Sequence, residues 1–100
     1  MTIAIDIDTQ AVAEFCRRHH IRRLALFGSV LRRDFSNSSD IDVLVVFDPE
    51  HVPGLAFVDM QEELSAILGG AVDLNTEGFL SPLIRDRIRR EATTLYVEDR

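Results

Sequence analysis

Apolar and polar positions along this chain follow helical spacing in some stretches and strand spacing in others. Between residues 8 and 20, Val12, Phe15 and Cys16 recur at helical spacing. Asp8 or Thr9 stands where a cap belongs, and Arg17 and Arg18 lie where cations favour a helix C-terminus. Leu24-Ala25-Leu26-Phe27 is an unbroken apolar run ending at Gly28, the form of a short buried strand that stops at a tight turn. Residues 29–33 have room for one or two helical turns before the loop-forming cluster Ser36-Asn37-Ser38-Ser39. Over 41–47, Ile41, Val43, Val45 and Phe47 alternate with Asp42, Leu44 and Val46. Beyond Asp42 both faces are therefore apolar, as in a central strand. The turn-rich stretch Asp48 to Gly54 leads to Leu55, Val58, Leu64, Ile67 and Leu68, a helical pattern halted by Gly69-Gly70. Ala71 to Asn75 reads as a short third strand, and Ser81-Pro82 has the cap-then-proline form that opens a helix running to about Glu91. Leu95-Tyr96-Val97 fits either a terminal strand or a tail that packs back.

This order predicts an α/β (α+β) fold, a small mixed β-sheet flanked by helices, as one domain over residues 1–100. The brief link between the first two strands favours an antiparallel pair over a crossover. A chain of 100 residues with 46% hydrophobic content can build one modest core, with little left for a separate substrate lobe.

A net charge of −6 argues against a protein whose main task is gripping nucleic acid, because that affinity is built from clustered cations. All eleven basic residues are Arg, so no P-loop lysine is available. Cys16 is the sole cysteine, which excludes an internal disulfide and fits a reducing, cytoplasmic setting. No stretch reaches membrane-spanning length and the start has no basic leader, so a soluble, unprocessed protein is expected. Cys16, His19, His20 and His51 lack zinc-ligand spacing, and Cys16 reads as core.

The chemistry concentrates in two places. Residues two apart on a strand share a face roughly 6 to 7 Å apart, so Asp40 and Asp42 converge on one site. Two facing carboxylates repel unless a cation sits between them, and hard oxygen donors in low number favour Mg²⁺, which takes its remaining ligands from water and substrate phosphates. Gly28 lets backbone approach a phosphate closely, and Ser29 adds a hydroxyl and amides at the start of a short helix. Residues 34–50 hold Asp34, Asp40, Asp42, Asp48 and Glu50 and no basic residue, so a nucleoside triphosphate could bind there only with divalent cations. Arg32 and Asp34 read as supporting residues. The cluster Arg85, Arg87, Arg89 and Arg90 is interleaved with Asp86 and Glu91, which suits a solvated helix face, with Asp86 and Arg90 paired one turn apart, or a partner-binding surface.

The run from Leu26-Phe27-Gly28-Ser29 through Asp40-Ile41-Asp42-Val43-Leu44-Val45, with ten residues between Ser29 and Asp40, resembles the DNA polymerase β-like nucleotidyltransferase superfamily. Within it the match is to minimal nucleotidyltransferases, the MNT-type antitoxins paired with HEPN-domain toxins. Pro53 to Phe57, Gln61 to Leu64, Val72-Asp73-Leu74 and Leu80 through Arg87 are similar to this subgroup as well. The resemblance implies that Gly28 and Ser29 hold the triphosphate and that Asp40 and Asp42 ligate two Mg²⁺ ions. It also implies that Asp73 is a third catalytic carboxylate, metal ligand and base towards the acceptor. It further implies an antitoxin that moves AMP from ATP to a hydroxyl of a HEPN ribonuclease toxin, with which it forms a hetero-oligomer. Neutralisation by binding and occlusion, and transfer to a small molecule such as an aminoglycoside, are the alternatives. Arg33, where many relatives carry a smaller or acidic residue, and the Ser/Asn loop depart from the family pattern.

Overall fold

Asp8 opens the first helix in the computed structural model, which describes residues 6–31 and 40–98, the side chains of Ser29 and Phe79 apart. Its carboxylate accepts a hydrogen bond from the Ala11 amide at 3.1 Å, capping α1 (Thr9–Arg18). His20 then takes φ 57, a left-handed bend that lets strand β1 (Ile21–Phe27) start immediately. The strand begins three residues before the apolar run because its first turns of side chain are cationic but anchored. Arg22 lies between Asp48 and Glu98 at 3.9 and 3.7 Å, and Arg23 donates twice to Thr94 Oγ1 at 3.2 and 3.0 Å.

Strand β2 (Ile41–Phe47) follows, then α2 (Ala56–Leu68), β3 (Val72–Thr76), α3 (Pro82–Glu91) and β4 (Thr93–Val97), with short 3-10 turns over Gly28–Leu31, Pro49–His51 and Glu77–Phe79. Gly69 ends α2 at φ 77, a conformation glycine adopts without penalty, and Ser81 caps α3 by accepting from the Ile84 amide at 3.4 Å. The sheet order is β3-β2-β1-β4. β1 runs antiparallel to both β2 and β4, whereas β2 and β3 are parallel, joined by α2 as a crossover. The sheet is therefore mixed, and the terminal apolar residues form a strand and not a tail.

One face of the sheet carries the main core. Leu24, Leu26, Ile41, Val43 and Val45 pack with Val12, Phe15 and Cys16 of α1 and Met60, Leu64 and Leu68 of α2, all essentially buried. Burial pushes the Cys16 thiol up to about 12, so it stays protonated as a small apolar group. On the opposite face Ala25 and Leu44 are register partners, and with Ile88 of α3 they are buried outside the main cluster. Helices thus lie on both sides of the sheet. An ion pair ties α3 down: Arg89 bonds both Glu77 oxygens, at 3.1 and 2.8 Å.

Edge strand β3 is finished by side chains. Ser65 Oγ accepts from the Val72 amide and Gln61 Oε1 from the Leu74 amide, both at 3.0 Å, while Ser65 Oγ donates to the Gln61 carbonyl at 2.8 Å. In a strand these two amides flank residue 73 and face away from β2.

Two outcomes follow. Gln61→Ala leaves the Leu74 amide without its acceptor and should lower unfolding free energy by about 1 kcal/mol, with faster hydrogen exchange at Leu74 than at core amides of β2. The Arg89 guanidinium holds the Glu77 carboxyl below its ordinary value of 4.5. That stabilisation is present above pH 4.5 and lost as the pH falls below it, so Glu77→Gln should melt below wild type at neutral pH and converge with it in acid.

Candidate active site

The candidate site is assembled where β1 ends and β2 and β3 begin. Phe27 is the register partner of Asp42, so the chain leaving β1 turns directly beside the Asp42 side chain. Gly28 makes that turn with φ 74. A β-carbon built on Gly28 would overlap the Asp42 carboxylate and lie 3.2 Å from its Cγ. The left-handed backbone favours glycine here, and any side chain would have to displace the Asp42 carboxylate. Residues 28–31 continue as a 3-10 turn, with Val30 buried beneath it.

Asp42 is in turn the register partner of Asp73 on parallel strand β3. Partners on neighbouring strands share a face at about 4.8 Å, so these carboxylates come from sequence positions thirty-one residues apart to adjacent places on one surface. The pairing is pinned at its start by the Ile41 amide donating to the Ala71 carbonyl at 2.7 Å. Asp40, exposed, stands just ahead of β2, two positions before Asp42. Asp42 is half-buried and Asp73 exposed. The backbone of Ser29 sits in the turn, and Arg32, Arg33, Asp34 and the Ser/Asn loop lie outside the described residues.

Among the described residues no three His, Cys, Asp or Glu side chains close into one metal-holding group. The aspartates share a face, not a finished coordination sphere. Mg²⁺ is commonly held by one or two carboxylates, with water and substrate phosphates as the remaining ligands. Hard oxygen donors at Asp40 and Asp42, beside the turn that Gly28 opens, have the chemistry for such a shared site. The histidines are engaged elsewhere: His19 Nε2 is 3.0 Å from Glu63, and the His20 and His51 rings stack at 3.8 Å.

A cleft of about 310 Å³ adjoins Gly28 and Asp42, lined also by Phe27, Ile84, Arg87, Ile88 and Glu91. The four α3 residues were not among the site candidates drawn from sequence. Their spacing of 84, 87, 88 and 91 places them on one helix face, and that periodicity was the available signal. The Arg-rich helix is also paired differently from the reading above: Asp86 contacts Arg89 at 3.8 Å, and Arg87 contacts Glu91 at 3.2 Å.

Comparison with known proteins places this geometry. A family model described as polymerase beta, nucleotidyltransferase, matches residues 10–100. A Methanocaldococcus jannaschii protein assigned as a protein adenylyltransferase is 40% identical over 75 residues, covering 75% of this chain and 80% of the relative. The protein adenylyltransferase MntA of Thermococcus cleftensis is 37% identical over 79 residues, 78% of each chain. A solved minimal nucleotidyltransferase superposes with TM-score 0.72 at 35% identity, covering 85% of this chain and 86% of the other. The fold also matches, at TM-score 0.65 and 20% identity over 90% of this chain and 70% of the other, a structure of a tri-AMPylated HEPN toxin with its MNT antitoxin from Shewanella oneidensis. With the model spanning most of its length and relatives well above 30% identity covering three quarters of it, the chain belongs to the polymerase β nucleotidyltransferase family and is a nucleotidyltransferase.

Proposed function

We propose that this nucleotidyltransferase moves AMP from ATP to a hydroxyl of a HEPN-domain toxin and so acts as its antitoxin, with Gly28, Ser29, Asp40, Asp42 and Asp73 as the working residues. The observation that carries the reading is the side-chain-free Gly28 turn against Asp42, with Asp73 in register beside it. The adenylyltransferase names of the relatives and the AMPylated toxin in the Shewanella oneidensis complex support the choice of donor and acceptor.

The turn at Gly28 and Ser29 offers backbone amides to the triphosphate, and Asp40 and Asp42 would hold two Mg²⁺ ions. Bound there, the ions neutralise phosphate charge and stabilise the attacking and leaving oxygens of an in-line displacement. The acceptor oxygen attacks the α-phosphorus, forming a new P–O bond as the bond to the β-phosphate breaks and pyrophosphate leaves. In this reading Asp73, exposed on the outer strand, takes the hydroxyl proton.

A second reading, neutralisation by binding alone, is favoured by one observation: α3 exposes Leu83 and half-exposes Ile84, apolar surface that a protein partner could cover.

Incubation with the HEPN toxin, labelled ATP and Mg²⁺ should label the toxin, and EDTA should abolish labelling. Asp42→Asn should reduce transfer by at least about 100-fold; equal labelling by this variant and wild type would sink the proposal. An Asp40→Asn/Asp42→Asn variant that labels nothing yet still neutralises would establish occlusion instead. Gly28→Ala should cost about 1–2 kcal/mol in chemical unfolding and lose most of the transfer rate, because the new methyl displaces the Asp42 carboxylate.

A further inference from the structure

The α3 wall of the cleft brings a cation towards the aspartates among the described residues. Arg87 lines the same cleft as Gly28 and Asp42, and among the described lining residues it is the one that carries positive charge. Its guanidinium Nε is 3.2 Å from Glu91, with side chains 72% and 59% exposed. An exposed pair of this kind is worth little, and Arg preceding Glu by four residues is the weaker orientation on a helix. The guanidinium is thus held near the cleft without being committed to its partner. Phe27, Ile84 and Ile88 supply the apolar part of the same cleft lining. Arginine's planar fork suits phosphate oxygens, which it can engage through two bonds.

Resting on the nucleotidyltransfer reading above, we infer that Arg87 leaves Glu91 to grip the triphosphate of the donor nucleotide, and that Glu91 is its resting partner when the cleft is empty. The carboxylates would hold the metal ions at the strand ends, and Arg87 would reach the phosphate chain from the helix. Glu91 competes with the nucleotide for the same guanidinium, so the two halves of one ion pair have opposite effects on affinity.

Calorimetric titration of the full chain with ATP and Mg²⁺ tests this. Arg87→Gln should weaken ATP binding about tenfold, Arg87→Lys should recover part of the loss, and Glu91→Gln should tighten binding severalfold. Arg90→Gln, a change of equal charge on the same helix outside the cleft lining, should bind as wild type does. In transfer assays the Arg87→Gln effect should fall on the KM for ATP and leave the KM for the toxin unchanged. Equal ATP affinity for Arg87→Gln and Arg90→Gln, weaker binding by Glu91→Gln, or an effect on the toxin's KM alone would each overturn the assignment. If wild type transfers AMP while Arg87→Gln is unaffected, only Arg87's role falls; if wild type shows no metal-dependent ATP binding, both readings fall together.

Discussion

The register between β1 and β2 governs the carboxylate end of this molecule. Because Phe27 stands opposite Asp42, the turn that ends β1 is delivered to the one side chain it has to accommodate. A slip of one residue would turn Asp42 into the main core and Ile41 and Val43 out of it, since strand side chains alternate faces. The apolar positions that build the core on one face therefore also specify the geometry of the polar face. Packing by α1 and α2 secures the register, and the register places the chemistry.

That placement works against stability. Like charges directly opposite one another on paired strands are unfavourable, yet Asp42 and Asp73 occupy such positions. Gly28 forgoes the packing a larger residue could contribute, in a left-handed backbone region that other residues rarely adopt. A local departure from what stability alone would select is characteristic of a site shaped by its ligands. The rest of the sheet compensates with a core nearly free of solvent and with anchored charges at its rims, such as Arg89 on Glu77 and Arg22 between Asp48 and Glu98.

Much of this was legible in the residues. The apolar alternation of 41–47 located β2, glycine at 28 and at 69 marked the ends of elements, Ser81 announced its cap, and the first cap was narrowed to Asp8 or Thr9, of which Asp8 serves. Other features were hidden for physical reasons. β1 starts at Ile21, but Arg22 and Arg23 look solvated until their partners on other strands and loops are known. The pairing of Asp42 with Asp73 depends on how α2 returns the chain to a parallel neighbour, a non-local event with no short-range signature. Arg87 lies on a helix whose charges suit a solvated face equally well, and only the fold brings that face to the cleft. Cys16 was readable as core because it shares the helical stripe of Val12 and Phe15.

The Ser65 and Gln61 bonds to β3 have a consequence beyond holding Asp73 in line. An outer strand with open amides invites another chain to add itself as a further strand, the common route to unwanted assembly and a common mode of peptide capture. Here the Val72 and Leu74 amides that would receive such a chain are already occupied from α2. Those two amides, on either side of Asp73, are thus closed to a chain that would add itself along this margin of the sheet.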